Sequence, residues 1–219
     1  GDHRDLHPFP TRRSSDLISL QDQIQPHFLF NALNTIARMA MFEKARKTEN
    51  LILAMARMFR YALGAPESMV SVNDELAIVG EYLAFQELRF GERLRWTITA
   101  KPAAADVTIP RFTIQPFVEK AVRHGIEPTL DGGSVDVTAH ARSGRLFIVI
   151  KDTGVGMHRD AVNGIGIGNV RKRLELVYGS EASLELHSTP GHGTTVRIMV
   201  PATTGADVAE NPGEPGVDE

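Results

Sequence analysis

Asp152-Thr153-Gly154-Val155-Gly156 is the stretch that decides the fold of the larger part of this chain. It directly follows the run Arg145 to Ile150, whose apolar residues are typical of a strand. The carboxylate of Asp152 is therefore expected at a strand end, beside a turn without bulky side chains. An acid in that position can accept a hydrogen bond from an exocyclic amine such as that of adenine, and the glycines let a flat base approach the backbone.

Strands and helices alternate around this stretch from Leu94 onward. Further segments typical of strands are 94–99, 134–140, 184–188 and 194–200, and helices are predicted over 113–125 and 167–178. The last two strands are expected to form a hairpin. The pattern predicts an α+β sandwich, with one mixed or antiparallel sheet that carries its helices on one face.

A second glycine cluster, Gly164-Ile165-Gly166-Ile167-Gly168-Asn169, runs into a predicted helix. Such a helix start leaves free backbone N–H groups and a positive dipole end that can face phosphates. A flexible loop with a capping glycine is the alternative explanation. The cluster is not a Walker A loop, because no Gly-Lys-Ser/Thr follows, and its distance from the preceding strand argues against a Rossmann fingerprint.

The N-terminal part is predicted to be helical. Helices over 18–42 and 48–63, joined by the short connector 43–47, are expected to form an antiparallel hairpin. Two helices cannot bury both apolar faces alone, so a dimeric four-helix bundle is the natural arrangement. A third helix is predicted over 73–90, with Asn73 or Ser71 as its N-cap.

His27 lies on the first of these helices, directly after a proline. At helical spacing it shares a polar face with Gln23, Asn31 and Asn34, beside an apolar stripe. A side chain on that polar face can contact a partner while the apolar stripe of the helix stays packed. From these residues alone, a half-exposed surface histidine and a functional histidine are equally supported.

The composition narrows the class of protein. The chain has 219 residues, of which 42% are hydrophobic and 23% charged, which is typical of a globular protein. Its net charge of -3 gives no electrostatic case for binding nucleic acid or an anionic membrane. It contains no cysteine, which excludes disulfides, thiolate nucleophiles and cysteine-ligated zinc. No stretch approaches the roughly 20 apolar residues of a membrane span.

Both ends of the chain differ from the middle. Residues 1–17 lack periodicity, and Thr11 to Leu17 can be encoded by the end of a common sequencing adapter, so we predict a non-native leader. A genuine disordered arm is the alternative. Residues 202–219 are acidic and rich in Gly and Pro, which predicts a disordered tail. Between the ends we predict a helical hairpin over 18–66, a linking helix over 67–92 and an α/β domain over 93–201.

Taken in order, these motifs resemble those of the LytS/YehU-type sensor histidine kinases, which carry the GHKL (HATPase) ATP-binding fold. The motifs are Pro26-His27-Phe28-Leu29-Phe30-Asn31, Arg60-Tyr61, Glu75-Leu76, Tyr82, Arg89-Phe90, Gln115-Pro116-Phe117-Val118-Glu119, Asp152-x-Gly-x-Gly, Gly164-x-Gly, Asn169-Val170-x-x-Arg173-Leu174 and Gly191-x-Gly-Thr194. The resemblance covers about residues 18–201. It implies a homodimeric kinase that uses ATP and Mg²⁺ to phosphorylate His27 and passes the phosphoryl group to a response regulator of the LytTR type. The membrane segments of such a bacterial inner-membrane sensor would lie upstream, which makes this part its cytoplasmic portion.

The resemblance also implies roles for single residues. Asp152 would read the adenine and Thr194 would lie near it, while Asn31 would orient the imidazole or simply bond the neighbouring helix. Arg173 would help to neutralise phosphate or be an exposed helix arginine. Glu119 would act as acid or base, or position a water. The base pocket and the phosphate-covering segment would be shaped by Gly154, Gly156, Gly164, Gly166, Gly168 and Asn169.

Lys120 departs from the family pattern, which has at this position the asparagine expected to hold Mg²⁺. Lysine has no acceptor atom and its charge repels the cation. With His124 at i+4 and Arg123 at i+3, it is expected to line the nucleotide side of its helix. Three explanations are considered, in this order: a sequence error, a lysine that contacts the phosphates directly, and a degenerate kinase.

Three functions therefore remain open from the sequence. The first is an ATP-dependent autokinase, favoured by His27, Asp152 and the glycines. The second is a catalytically impaired dimeric signalling or scaffold module that keeps the fold, favoured by Lys120. The third is another ATPase of the same fold, which leaves His27 unexplained.

Overall fold

The computed structural model describes residues 26–64, 68–156 and 165–203, without the side chains of residues 26–28 and 165. The predicted leader, the first eight residues of the predicted first helix (18–25), Gly164 and nearly all of the predicted tail lie outside the described residues. The chain divides into two compact units, residues 1–56 and 57–219.

The first unit contains a helical hairpin, as predicted. Helix α1 spans Pro26–Phe42 and helix α2 spans Arg46–Ala62, so α2 continues into the second unit. The turn between them places Lys44 at a positive φ of 59°. Small side chains are buried in the hairpin, including Ala37, Ala40 and Ala56. Several large apolar side chains of α1 remain exposed, namely Ile36, Met39, Met41 and Phe42. The dimeric bundle that would cover such residues stays a prediction.

The second unit is built on a five-stranded mixed sheet, which confirms the predicted α+β class. The strands are β2 (Leu94–Ala100), β4 (Gly133–Arg142), β5 (Arg145–Asp152), β6 (Ser183–Thr189) and β7 (Gly193–Pro201). Their order in the sheet is β2-β4-β5-β7-β6, in which β2 and β4 are parallel and the other neighbours are antiparallel. The last two form the predicted hairpin.

Three helices bury one face of this sheet. They are α3 (Val72–Phe90), α5 (Gln115–Lys120), which continues as a wider π-helical turn over Ala121–Ile126, and α6 (Ile165–Tyr178). Side chains alternate between buried and more exposed along β4 and β5, as expected for a sheet covered on one face. The shared core includes Leu83, Val122, Val137, Ile148, Leu174 and Ile198. Among the described residues, no helix combines the length and apolar content that crossing a bilayer requires.

Three short elements were not expected from the sequence. Strands β1 (Met69–Ser71) and β3 (Thr108–Pro110) pair antiparallel, and α4 (Pro102–Ala105) is a single turn. Ser71, at the end of β1, is also the N-cap of α3, because its side chain accepts a hydrogen bond of 3.0 Å from the Asp74 N–H. Of the two predicted caps, Ser71 is therefore the correct one and Asn73 is not.

Glu75 fixes the start of α5 from the first turns of α3. Its side chain is fully buried, and its Oε1 accepts from the N–H groups of Ile114 (2.7 Å) and Gln115 (3.2 Å). Burial is the largest influence on this carboxyl and raises its pKa from 4.5 to about 7, against the lowering effects of the Ile114 and Gln115 hydrogen bonds and of Arg173. The Glu75-Leu76 motif thus has a structural role, because Glu75 connects α3 to the start of α5.

The raised pKa of Glu75 predicts a pH-dependent stability. In the unfolded chain this carboxyl ionises near pH 4.5, whereas in the folded chain it keeps its proton to about pH 7. Its contribution to the free energy of unfolding is therefore fully present below pH 4.5 and is lost as pH rises through 7. The total loss is about 3 kcal/mol.

Glu75→Gln is expected to remove this dependence, because the amide oxygen still accepts from both N–H groups and does not titrate. Urea unfolding of both proteins from pH 4 to 8 measures the effect. The stability difference, wild type minus variant, should fall by about 3 kcal/mol across this range. A difference that stays constant with pH would show that Glu75 titrates normally in the fold.

Candidate nucleotide-binding site

A pocket opens between α5, the start of α6 and the strands β5, β6 and β7. Its walls are partly apolar, and its polar groups come mainly from α5 and from the ends of β5 and β7. It is lined by Phe117, Lys120, Ala121, His124, Gly125, Ile150, Asp152, Gly156, Ile167, Leu186, Thr194 and Val196. A mostly apolar cleft with a few convergent polar groups is typical of a small-molecule site.

Asp152 is the buried acid of this pocket, as its position at a strand end predicted. It is the last residue of β5 and is only 5% exposed. Its Oδ1 accepts a hydrogen bond of 2.9 Å from the Gly154 N–H. Burial raises the pKa of this carboxyl, and hydrogen bonds from Gly154 and Thr194 partly oppose that rise. The arrangement presents a fixed acceptor to a ligand on the pocket floor.

Close backbone contacts around Asp152 explain the glycines. A Cβ on Gly154 would lie 2.2 Å from the carbonyl carbon of Gly125, and one on Gly125 would lie 2.9 Å from Asp152 Oδ1. Gly193 has a φ of 83°, and its Cβ would lie 2.0 Å from the Asp152 carbonyl oxygen. The positions of Gly154 and Gly193 leave no room for any side chain, because the atoms that a Cβ would meet belong to the backbone. The floor of the pocket is thus made of backbone, which suits the approach of a flat base.

Gly156 and Thr194 complete this end of the pocket. Gly156 has a φ of 68°, and a Cβ there would lie 2.2 Å from the carbonyl oxygen of Thr189. Thr194 is 7% exposed, pairs in register with Asp152 on the neighbouring strand, and shares a hydrogen bond of 2.9 Å with Ser188. The structure therefore brings Asp152, Gly154, Gly156 and Thr194 together, and their roles toward a nucleotide stay predictions.

Lys120 and His124 line the pocket as predicted, but Arg123 does not. Arg123 is exposed and lines a separate groove with Tyr82, Gln86 and Glu127. The reason is the π-helical turn that begins at Ala121. Because a π turn takes more residues than an α turn, the third residue after Lys120 does not return to the pocket side, whereas the fourth does.

Gly166, at the start of α6, lies near Lys120. A Cβ on Gly166 would be 3.9 Å from Lys120 Cε, so the lysine stem reaches the first turn of that helix. Gly168 has open space around it, and Asn169 is exposed. Gly164 lies outside the described residues. The role of these residues in covering phosphates stays a prediction.

Glu119 and Arg173 lie away from the pocket lining. Glu119 is exposed, and its Oε1 accepts from the Gln115 side chain at 2.7 Å. Arg173 is half-buried and donates to the Phe112 carbonyl at 2.7 Å. Arg173 is therefore not an exposed helix arginine, because the folded loop before α5 provides a partner for it. Its part in neutralising phosphate stays a prediction. That loop contact could not be read from the helix sequence.

His27 and Asn31 belong to the first unit. The backbone of His27 lies in the first turn of α1, and its side chain is outside the described residues. Asn31 is exposed one turn later, and its carbonyl accepts from the Thr35 hydroxyl at 2.8 Å. Its proposed part in orienting the imidazole stays a prediction.

Sequence reasoning missed Gly125 and Gly193 as site residues, together with the apolar lining residues Phe117, Ile167 and Val196. The sequence carried a signal for the first two, because Gly193 lies inside the motif Gly191-x-Gly-Thr194 and Gly125 directly follows His124. The apolar residues carried no separate signal, since their strand and helix periodicity also describes an ordinary core.

The fold and the pocket define the class of protein: a nucleotide-binding domain of the histidine kinase-, DNA gyrase B- and HSP90-like ATPase type. A family model with that description matches residues 105–204. A second family model, described as histidine kinase, matches residues 15–94.

Curated relatives agree with both matches. The sensor protein LytS of Staphylococcus haemolyticus is 33% identical over 208 residues, which cover 88% of this chain and 35% of LytS. The sensor histidine kinase YesM of Bacillus subtilis is 29% identical over 194 residues, which cover 86% of this chain and 34% of YesM. A solved structure of the histidine kinase domain from the Erythrobacter litoralis EL346 blue-light activated histidine kinase is 19% identical with a TM-score of 0.49. The match covers 80% of this chain and 96% of that one.

The chain belongs to the histidine kinase family, within the LytS-type sensor kinases. It spans about a third of the length of the curated relatives it matches.

Proposed function

We propose that this chain is the kinase core of a two-component sensor, which binds ATP in the pocket around Asp152 and transfers the γ-phosphoryl group to His27. The observation that carries the proposal is the buried Asp152 carboxylate on a backbone-walled floor. It supports adenine binding because Oδ1 is engaged by the Gly154 N–H, and we assign Oδ2 to the exocyclic amine. Thr194 lies beside it at the adenine end.

The described residues of the pocket do not fit the Mg²⁺ ion expected for the family. Lys120 presents an ammonium group where a cation ligand would be needed, and His124 adds no carboxylate. Among the residues that the structure describes, no three His, Asp or Glu side chains come together as a metal-binding group. We therefore assign the neutralisation of phosphate charge to Lys120, whose stem reaches the first turn of α6.

The transfer itself requires alignment and charge neutralisation more than covalent chemistry by the protein. Neutral imidazole is a competent nucleophile near pH 7. A ring nitrogen of His27 forms a bond to the γ-phosphorus, the bond to the bridging oxygen breaks, and ADP leaves with that electron pair. Asn31 is proposed to orient the imidazole. Glu119, Arg123 and Arg173 are assigned no contact with the nucleotide, because they lie outside the pocket lining.

Partners follow from the family. We propose a homodimer formed through the hairpin, and a response regulator receiver domain, of the LytTR type, whose aspartate receives the phosphoryl group from His27. Membrane attachment would come through a region upstream of this sequence, which would make these residues the cytoplasmic portion of an inner-membrane sensor. No nucleic-acid partner is proposed.

The test is incubation with γ-labelled ATP, with Mg²⁺ and separately with EDTA, followed by chemical analysis of the label. We expect acid-labile, base-stable label on the wild type and only background label on His27→Gln, because the variant lacks the accepting nitrogen. Asn34→Gln, on the same helix, is the matched control and should keep the label. Label that persists in His27→Gln would place the acceptor elsewhere.

A catalytically impaired signalling module is the second candidate, and the ammonium of Lys120 in the pocket is the observation that favours it. It predicts folded wild-type protein that binds ATP but acquires no label in either condition. If Lys120→Asn then gains label with Mg²⁺, the lysine is the cause of the impairment.

A further inference from the structure

The last turn of α2 is held by residues of the nucleotide-binding unit. Tyr61 is 8% exposed, and its ring meets the Phe112 ring edge-on with 5.1 Å between centroids. The Arg111 guanidinium lies 4.4 Å above the Tyr61 ring, and its Nη1 donates to the Tyr61 carbonyl at 2.7 Å. A cation that donates to a helix C-terminal carbonyl is favourably placed for the helix dipole. We call Tyr61, Arg111, Phe112 and Arg173 the α2 anchor.

Phe112 is the central residue of the α2 anchor. Its φ of 62° lies in the left-handed region, which a bulky side chain seldom adopts and which persists only when surrounding contacts enforce it. Contacts act on both sides of this residue. Its N–H donates to the Tyr61 hydroxyl oxygen at 3.4 Å, and its carbonyl accepts from Arg173 Nη2 at 2.7 Å. The conformation of Phe112 therefore depends on α2 and on α6 together.

The two helices that wall the pocket both meet at this anchor. Phe112 lies three residues before α5, which contributes Phe117 to the pocket lining. Arg173 lies on α6 almost two turns after Ile167, which lines the same pocket. A ligand that restrains the first turns of α6 would also restrain the Arg173 guanidinium, since a helix transmits such a restraint along its axis. The restraint then reaches Tyr61 through Phe112.

We propose that the α2 anchor couples nucleotide binding to the end of the phosphoacceptor hairpin, with Arg173 as the positioning residue. Nucleotide in the pocket stabilises the Arg173–Phe112 hydrogen bond, which in turn secures Tyr61 and the last turn of α2. The proposal rests on the proposed binding of ATP. It does not require phosphoryl transfer, so it is tested without measuring activity.

Hydrogen exchange on the full chain provides the test. The N–H groups of Leu63 and Gly64 donate to the Phe59 and Tyr61 carbonyls, so their exchange reports on the last turn of α2. Saturating ATP, verified by calorimetry, is expected to slow exchange over residues 60–64 of the wild type by at least about fivefold, the lower end of typical coupling between sites. In Arg173→Met at saturating ATP, the slowing should fall to less than twofold.

Arg171→Met is the matched control, because Arg171 is an exposed arginine on the same helix, and it should behave as the wild type. Phe112→Gly is the second variant if Arg173→Met does not fold, since glycine adopts a positive φ without strain. It removes the ring contact with Tyr61 and should also lose the slowing. The coupling would be overturned if ATP slowed exchange in Arg173→Met or Phe112→Gly as much as in the wild type. It would also be overturned if Arg171→Met lost the slowing, or if ATP-bound wild type showed none. Failure of the wild type to bind ATP at all would instead overturn the proposed function on which the coupling rests.

Discussion

Asp152→Asn is expected to weaken ATP binding by about 100-fold, or roughly 3 kcal/mol. The Asn oxygen must keep accepting from the Gly154 N–H, which is 2.9 Å from Oδ1 in the wild type. The amide NH₂ group then takes the position of Oδ2 and faces the exocyclic amine of adenine. Two donors meet in a buried site, so the loss exceeds that of one neutral hydrogen bond.

Inosine triphosphate is the control ligand that tests whether Asp152 recognises the exocyclic amine of adenine. It carries a carbonyl oxygen where ATP carries the amine, so it should bind poorly to the wild type and better to Asp152→Asn. Calorimetric titration of both nucleotides into both proteins is expected to show the ATP preference disappear or reverse. The variant should remain folded, because an amide costs less to bury than a carboxylate whose pKa burial already raises. Unchanged ATP affinity would mean that Asp152 does not read the base.

The sequence predicted most of the fold because the larger elements carry their own burial pattern. The run that became β5 and the cap at Ser71 are local signals, and both were found where they were predicted. Strands β1 and β3 were missed because each is three residues long, and what defines them is the pairing of Met69 with Pro110 across the chain. No local pattern contains that pairing.

The site residues also differ in whether local sequence or tertiary contacts determine their position. The adjacency of Asp152 and Thr194 follows from motifs that place both residues on strands, where they pair in register. Arg123 was misplaced because the widened turn after Lys120 is not visible in α-helical spacing. The contact of Arg173 was not predicted because its partner is a loop carbonyl, presented by a residue with positive φ. These features arise from tertiary contacts, as the role of Gly125 does.

Lys120→Asn is expected to change the metal dependence of ATP binding. We have proposed that the Lys120 ammonium supplies the positive charge at the phosphates. The affinity of the wild type for ATP should therefore change little between Mg²⁺ and EDTA. The variant loses a charged hydrogen bond worth about 1.5–3 kcal/mol, which weakens binding in EDTA by roughly 10- to 100-fold. Its amide oxygen is a cation ligand, so Mg²⁺ should restore most of that loss.

Lys172→Asn makes the same change of charge on the exposed surface of α6 and is the control for a general electrostatic effect. It should leave the ratio of affinities in Mg²⁺ and EDTA as in the wild type. If the wild type binds ATP only with Mg²⁺, Lys120 does not replace the ion, and the cation must be held by other groups. If both lysine variants weaken binding in EDTA equally, net charge rather than the position of Lys120 in the pocket governs affinity. Loss of affinity in Lys120→Asn alone, reversed by Mg²⁺, would identify this side chain as the phosphate ligand, because only a group at the phosphates can be exchanged for the ion.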